Sequence, residues 1–420
     1  MKLGSLPYEQ YKVSDNEWCE YLPSVWQEKR VKNIFNLITD LAPDNNDFEL
    51  LSLYTSIGVK PRKEMEQRGN KSVTTDGYWI VKKGDIIVNK LLAWMGAIGL
   101  SEYDGVTSPA YDILRKFNNE VDEKFYTYLF RTEKAQAIFK KYSRGIMDVR
   151  LRLYFDKLGA ITVPFPPPWE QKAIANYLDN KTSQIDRQID LLTQKAKLYN
   201  NLKQSLINET VTRGLDKTVP MKDSGIEWLG EIPKHWFFNR HKDNFSFVTK
   251  RCEDITLVKV GLENIEGKTG RYITTESTFD GDGIEFKKND ILLGKLRPYL
   301  AKVYLAEFKG NAVGDIFVYR PIFNIVPKFA RYIMLSDRYI DIINSSTAGA
   351  KMPRASSSFI ANLPVITPPL PEQKEIADYL DAKTAQIDKI IATINTQIEK
   401  LKELRKTLIN DVVTGKIKVV

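Results

Sequence analysis

Apolar residues recur at alternating steps of four and three in two stretches of the chain, which is the spacing of a helix with one buried seam. A lone helix with such a stripe is marginal in water, so each stretch is predicted to pack against another helix. The seam positions are Ile185, Ile189, Leu192, Tyr199 and Leu206 in the first stretch and Ile387, Ile391, Ile394, Ile398, Leu401 and Leu408 in the second.

The two helical stretches are copies of one sequence. Residues 170–212 align with 372–414 without a gap, and 20 of these 43 positions are identical. An earlier block around Trp18 recurs around Trp228, at an offset of 228 − 18 = 210 instead of 202, so short insertions separate the blocks. Each half of the chain is therefore predicted to be a variable globular module followed by a better preserved helix.

Within each module the pattern changes to short strand-like runs bounded by Gly and Pro, with one helical stretch at 125–142 or 328–343. The proline-rich segments 164–168 and 364–369 are predicted to be stiff extended junctions outside any ladder. The fold class is therefore α+β, with two mixed α/β modules joined by two long antiparallel coiled-coil helices and a pseudo-two-fold internal repeat. The predicted boundaries are 1–167, 168–215, 216–368 and 369–420.

The chain is basic: 62 Lys and Arg against 53 Asp and Glu leave a net charge of +9. This excess suits a polyanion such as DNA and equally suits an ordinary basic protein. Two Cys and two His show no metal-ligand spacing, and His241, between Arg240 and Lys242, is expected to be solvated. Without an apolar stretch of membrane length or a signal-peptide pattern, the expected location is the cytoplasm.

The sequence lacks the motifs of several classes of enzyme. Pro166-Pro167-Pro168-Trp169 lacks the Asn or Asp that precedes the prolines in adenine methyltransferases, and no Gly-x-Gly-x-x-Gly or Walker loop occurs. Asp290, Glu307 and Lys309 have the loose spacing of a metal-dependent nuclease, but the first repeat has no equivalent lysine. The chain is therefore predicted to be non-catalytic, with no catalytic residue and no metal site.

A family resemblance rests on the proline-rich junction, Pro-Glu-Gln-Lys-Glu-Ile-Ala-Asp-Tyr-Leu-Asp at 371–381, and the helix ending Leu-Ile-Asn-Asp-Val-Val-Thr-Gly at 408–415. Together with 223–233, these segments resemble the specificity subunit of type I restriction-modification systems, over both halves of the chain. The resemblance implies that each module is a target-recognition domain for one half of a split DNA site. It implies that the helices set the spacing and dock two methyltransferase subunits, with restriction subunits as further partners. S-adenosylmethionine, ATP and Mg are then expected on those partners and no cofactor on this chain.

Candidate DNA contacts are the cations and aromatic residues of the modules' loops. Lys90 and Lys295 are repeat-equivalent, which favours a shared phosphate contact, whereas Arg297 aligns with Leu92 and is a candidate base reader. For each candidate the alternative is a solvated surface charge. For the whole chain, the alternative function is that of a coiled-coil scaffold that does not bind DNA. The candidates are Lys60, Arg62, Lys90, Trp94, Arg144 and Arg150 in the first module and Lys250, Arg251, Arg271, Lys295, Arg297, Tyr299, Lys351 and Arg354 in the second.

Overall fold

The computed structural model describes residues 7–55, 57–65, 75–145, 151–276, 279, 281, 283–347, 349 and 352–419. The chain forms two compact units, and each unit is built from separate parts of the sequence. Unit 1 comprises 1–191 and 397–420, and unit 2 comprises 192–396. Each unit therefore contains one module, the beginning of one long helix and the end of the other.

The described residues of the first repeat form short strands, three short α-helices and one long α-helix. Its strands are β1 Tyr11–Val13, β2 Tyr21–Pro23, β3 Gln27–Arg30, β4 Phe35–Ile38, β5 Leu51–Tyr54, β6 Gly58–Pro61, β7 Trp79–Val81, β8 Ile86–Asn89, β9 Ile98–Leu100, β10 Gly105–Thr107, β11 Tyr111–Lys116 and β12 Thr162–Phe165. Its helices are α1 Glu123–Phe130, α2 Glu133–Tyr142, α3 Phe155–Leu158 and the long α4 Pro168–Arg213.

Among the described residues, the second repeat follows a similar order, with one strand fewer and a short α-helix after its third strand. Its strands are β13 Met221–Asp223, β14 Glu231–Pro233, β15 Phe237–Arg240, β16 Phe245–Val248, β17 Lys259–Val260, β18 Ile284–Phe286, β19 Ile291–Gly294, β20 Val303–Leu305, β21 Gly310–Ala312, β22 Ile316–Pro321 and β23 Pro364–Thr367. Its helices are α5 His241–Asn244, α6 Pro327–Leu335, α7 Asp337–Ser345, α8 Ser357–Asn362 and the long α9 Leu370–Val413.

A four-stranded antiparallel sheet forms the centre of each module. Its order is β4-β11-β8-β9 in the first and β16-β22-β19-β20 in the second, so the duplication extends to topology. The single helix predicted in each module is in fact two, because Thr132 and Ser336 accept hydrogen bonds from the backbone N–H groups of Ala135 and Tyr339 and start a new helix at each point.

The two proline-rich segments are extended, but the prediction that they lie outside a ladder was wrong. β12 pairs with β3, and β23 pairs with β15, both antiparallel. Each pair is a separate two-stranded sheet, where a proline's missing N–H leaves few ladder bonds unmade. β12 and β23 each lead directly into the long helix that follows, so these strand pairs fix where the long helices begin.

The long helices pack against each other with antiparallel direction, which confirms the predicted fold class. In unit 1, Ile185 and Ile189 of α4 join a core that includes Leu401 and Leu408 of α9. In unit 2, Ile207 and Val211 near the end of α4 share a core with Ile376 and Leu380 near the start of α9. All the predicted seam residues are buried or half-buried. Among the helices of the described residues, none has the length and apolar character needed to cross a membrane.

His241 is 1% exposed, so the expectation that it is solvated was wrong. Its ring stacks on Phe245 at 4.3 Å between centroids and meets Tyr319 edge-on at 4.6 Å. Its backbone N–H donates to the carbonyl of Leu363, as that of Val31 does to Ile161 in the first repeat. His241 therefore occupies the place of a buried valine, and burial lowers the pKa of its imidazole to about 3.

Acid is expected to destabilise the protein through His241. Its pKa is lower in the fold than in the unfolded chain, so the unfolded chain binds the extra proton and stability is lost as pH falls from about 6.5 towards 3. Between pH 7.5 and 5.0 the loss is about 2 kcal/mol from this residue alone. Urea denaturation of the wild type and His241→Val at both pH values measures it. An equal pH effect in the two proteins would contradict the assignment.

Candidate nucleic-acid interface

The repeated Glu-Gln dipeptide joins each long helix to its module. Glu170 accepts hydrogen bonds from the Tyr8 hydroxyl and from Trp26 Nε1, the latter at 2.9 Å. Glu372 contacts Trp236 Nε1 and His235 Nε2, each at 2.9 Å. Trp26 and Trp236 are fully buried, and the carboxylate at each helix start also suits the helix dipole.

The glutamine of the dipeptide completes the joint. Gln373 is fully buried; its amide donates to the carbonyls of Pro368 at 2.8 Å and Asn324 at 3.1 Å, and its Oε1 accepts from Val326 N–H at 2.8 Å. Gln171 makes the same three bonds to Pro166, Glu120 and Asp122. A buried side chain that satisfies three backbone groups cannot be exchanged cheaply, which explains why both copies keep it.

Two ion pairs cross between the long helices at repeat-equivalent places. Lys203 of α4 lies 2.8 Å from Asp388 of α9 in unit 2. Arg405 of α9 lies 3.0 Å from Asp186 of α4 in unit 1. The offsets are 405 − 203 = 202 and 388 − 186 = 202, so the two ion pairs are repeat-equivalent. In unit 2 the cation is on α4 and the acid on α9, and in unit 1 the cation is on α9 and the acid on α4. The residues shared by the two repeats thus form the contacts of the long helices, with each other and with the modules, whereas the loops of the modules differ.

The loop after the central strand β19 carries the principal DNA candidates of unit 2. Its backbone is anchored to a second loop, because Arg297 N–H donates to Pro353 O and Ala355 N–H donates to Lys295 O, both at 2.8 Å. Arg297 has left-handed backbone angles, φ 51° and ψ 64°, which cost a non-glycine residue about 1–2 kcal/mol. Among the described residues the Arg297 guanidinium has no ion-pair partner, and Tyr299 beside it is 49% exposed.

The corresponding loop of unit 1 keeps the turn and changes its side chains. Lys90 N–H donates to Ala110 O, and Leu153 N–H donates to Lys90 O, as at Lys295 and Ala355. Leu92, which aligns with Arg297, has φ −124° and ψ 9°. The left-handed residue that closes the turn is Gly96, where unit 2 has Ala301. The frame of the loop is shared, and the strained arginine belongs to the second module alone.

Most other candidate residues contact groups within their own unit. Lys60 Nζ lies 3.1 Å from the Tyr103 hydroxyl, and Trp94 Nε1 donates to Leu91 O at 3.0 Å. Arg271 bonds Asp388 of α9, a contact that ties the module to the helix. The backbones of Arg144 and Arg152 are hydrogen-bonded to each other, and Arg251 forms an isolated β-bridge with Ile284. Lys250 forms an ion pair with Glu285 at 3.1 Å, and Arg62 is half-buried. Arg150 and Lys351 lie outside the described residues.

Lys90, Lys295 and Arg354 each face a carboxylate. Lys90 Nζ lies 3.1 Å from Asp112, and Lys295 Nζ lies 3.5 Å from Asp315. Arg354 bonds the same Asp315 with two nitrogens, at 3.1 and 3.2 Å. Neither acid could be found from the sequence, because Asp112 aligns with Phe317 and Asp315 aligns with Ala110, so neither repeats. Arg152, which aligns with Arg354, is a further loop cation.

The nuclease-like spacing does not form a metal site. Asp290 is 1% exposed and receives two hydrogen bonds from Arg320, at 2.8 and 2.7 Å, which raise the pKa of the guanidinium. Lys309 pairs with Glu285. Asp85 and Arg115 repeat the Asp290 arrangement in unit 1 with the same distances. The same Asp–Arg pair therefore occurs in both modules, although the first module has no lysine equivalent to Lys309. This indicates that the aspartate has a structural role.

Comparison with known proteins identifies the class. Residues 23–198 and 257–400 match the family model "Type I restriction modification DNA specificity domain". The chain is 24% identical over 281 residues to the type I restriction enzyme EcoDI specificity subunit of Escherichia coli, covering 61% of this chain and 62% of that protein. It is 25% identical over 360 residues to the MjaVIII specificity subunit of Methanocaldococcus jannaschii, covering 80% and 81%.

Two solved structures share the fold. A chain from a structural study of complex assembly and conformational transition of the type I R-M system covers 94% of this chain and 99% of its own length, with TM-score 0.72 and 14% identity. The HsdS subunit from Thermoanaerobacter tengcongensis covers 94% and 98%, with TM-score 0.56 and 14% identity.

The family match places these duplicated modules on paired helices in the class of DNA-specificity proteins, which recognise DNA and do not catalyse its modification. The family match covers most of the chain. The chain belongs to the type I restriction-modification DNA specificity family, which argues against the scaffold alternative.

Proposed function

We propose that this chain reads a bipartite DNA site, one half with each module, and holds the halves at a fixed spacing through its two long helices. The observation that supports this most directly is the duplicated joint, in which Glu170 with Gln171 and Glu372 with Gln373 fasten different modules to equivalent helices. A rigid, repeated joint is what two independent readers need if their separation is to be constant.

The same symmetry supports the docking of two copies of one partner, a methyltransferase subunit. Leu202 and Leu404 are identical between the repeats and are 53% and 42% exposed on α4 and α9. Equivalent apolar side chains on both helices offer one partner the same contact twice. In this proposal S-adenosylmethionine is bound by the methyltransferase subunits, ATP and Mg by restriction subunits where these join, and the complex works in the cytoplasm.

Methylome sequencing of cells that carry this chain and its partner tests the proposal. The expected result is methylated adenine in a split motif of two short half-sites separated by a fixed number of unspecified bases. Exchanging the second module for that of another specificity subunit should change one half-site only. A single contiguous motif, or a motif that is unaffected by the chain, would contradict bipartite recognition.

Arg297 and Lys295 are predicted to have different roles in binding. Arg297→Ala should cost about 1–3 kcal/mol and relax specificity in one half-site, because a guanidinium can read a guanine edge with two hydrogen bonds. Lys295→Ala should weaken all sequences about equally and lower the slope of log affinity against log salt by about one. Competition binding against a library randomised at each half-site, with partner subunits present, separates the two effects.

Arg297→Gly is the matched control for that experiment. Glycine accepts the left-handed backbone angles of Arg297 without strain, so it removes the guanidinium and keeps the loop. The alanine and glycine variants should relax the same half-site. If glycine restores wild-type specificity, the loop's shape and not the guanidinium reads the DNA.

A further inference from the structure

Two cations of unit 2 converge on one carboxylate at the loop that follows β19. Arg354 approaches Asp315 with Nε and Nη2 at 3.2 and 3.1 Å, and Lys295 Nζ lies 3.5 Å away. The Arg354 guanidinium holds the pKa of the Asp315 carboxyl below its usual range, so this acid is ionised at neutral pH. The two-bond geometry is the one in which arginine also binds a phosphate group.

The backbone of the loop is held independently of that carboxylate. Lys295 N–H donates to Asp315 O at 2.9 Å, Ala355 N–H donates to Lys295 O, and Arg297 N–H donates to Pro353 O. These bonds align the two loops through main-chain atoms. The Asp315 side chain is therefore not needed to bring Lys295 and Arg354 together, and its position between them calls for another explanation.

The first module pairs its equivalent lysine with a different acid. Lys90 corresponds to Lys295, and its Nζ lies 3.1 Å from Asp112. At the offset 295 − 90 = 205, Asp315 aligns with Ala110, whereas Asp112 aligns with Phe317. The two modules differ in most loop residues, yet in each of them a carboxylate lies near the equivalent lysine. The two carboxylates come from sequence positions that do not align. This recurrence indicates that the lysine requires a negatively charged partner, although the partner need not stand at the same position in both repeats.

The ion pairs of Asp315 are exposed enough to exchange with an external anion. The exposed fractions of the side chains are 30% for Lys295, 51% for Arg354 and 23% for Asp315. Ion pairs of this exposure stabilise a protein only weakly, so they are easily displaced. A DNA phosphate brings the same charge and acceptor geometry and adds the release of condensed counterions.

We propose that Lys295 and Arg354 form a binding site for a phosphate of the DNA backbone, and that the Asp315 carboxylate occupies this site until DNA displaces it. The inference rests on the proposed recognition function and adds an internal competitor to it. Because phosphates are alike in all sequences, the competitor weakens binding to every duplex, non-cognate DNA included. Its effect is to limit retention of the protein on the large excess of non-cognate sites.

Asp315→Asn in the full chain tests the proposal, with a 30-base-pair duplex of random sequence as the probe. The amide is close in size to the carboxylate and keeps an oxygen acceptor, but it carries no charge. The expected result is binding about three- to tenfold tighter at fixed salt, and a slope of log affinity against log salt that is steeper by about one. Adding Arg354→Gln to Asp315→Asn should remove most of the gain.

Asp378→Asn is the matched control. Asp378 is an exposed acid of α9 in the same unit, paired with Lys328 at 3.9 Å, and its neutralisation makes the same change in net charge. It should leave binding near the wild-type value. Asp315→Ser, checked for an unchanged melting temperature, gives a second variant that lacks the carboxylate.

The outcomes are distinguishable from failure of the proposed function. If the wild type shows no salt-dependent binding to duplex DNA, the recognition function itself is contradicted. If the wild type binds but Asp315→Asn and Asp315→Ser bind equally or more weakly, Asp315 only braces the loop and the competitor is overturned. A gain of the same size in Asp378→Asn would also overturn it, because net charge alone would then account for the effect.

Discussion

Inserting one heptad into both long helices, within 185–206 and 387–408, is expected to lengthen the unread spacer of the DNA site by about three base pairs. Seven residues add about 10.5 Å of helix, and the rise of B-DNA is about 3.4 Å per base pair. A whole heptad keeps the apolar seam in register. Placed between Asp186 and Lys203 in α4 and between Asp388 and Arg405 in α9, the insertions leave both interhelix ion pairs intact.

The measurement is again the methylated motif, and both half-sites should be unchanged. A heptad in α4 alone is the control, because it shifts one seam against the other and should abolish activity or folding. A folded, active double insertion that keeps the original spacer would show that the helices do not set the distance.

Replacing Asp290 by Ala is expected to lower the free energy of unfolding by about 2–4 kcal/mol, without removing any chemistry. Asp290 accepts two hydrogen bonds from Arg320 and one at 2.8 Å from Lys287 N–H, and all lose their acceptor. The estimate lies below the usual cost of breaking a fully buried pair, because the Arg320 side chain is 38% exposed and partly hydrated.

Asp85→Ala is the matched variant in unit 1, where Lys82 and Arg115 make the same bonds. Urea denaturation should show similar losses for the two variants. A nuclease role predicts instead a stable Asp290→Ala protein that has lost Mg²⁺-dependent plasmid cleavage present in the wild type. That result would restore Asp290 as a catalytic residue.

The sequence predicts well what repeats or has a clear period. The heptad spacing of Ile387, Ile394 and Leu401 indicates a helix with one buried seam, and the duplication supplies its partner. The identical Glu, Gln and Asp residues mark the joint, although only the structure shows which groups they bond. Helix breaks at Thr132 and Ser336 were missed, because one capping side chain does not disturb the apolar period around it.

The loop chemistry could not be predicted to the same degree. The repeat predicts a shared phosphate contact for Lys90 and Lys295, but their acids Asp112 and Asp315 do not align. His241 looked solvated between Arg240 and Lys242, yet strand β15 and helix α5 turn it inward. Contacts of this kind join residues far apart in sequence, and the local pattern of charge or hydropathy carries no information about them.

The sequence by itself determined the duplicated architecture and the paired helices, since each depends on a period or a repeat along one dimension, and its family motifs indicated the DNA-specificity class. Tertiary structure alone decided that Asp290 serves the fold, that His241 is buried and that Asp315 sits between Lys295 and Arg354. The physical reason is that burial and ion pairing depend on distances in three dimensions, and these are set only when the β19 loop, the segment around Arg354 and the central sheet come together.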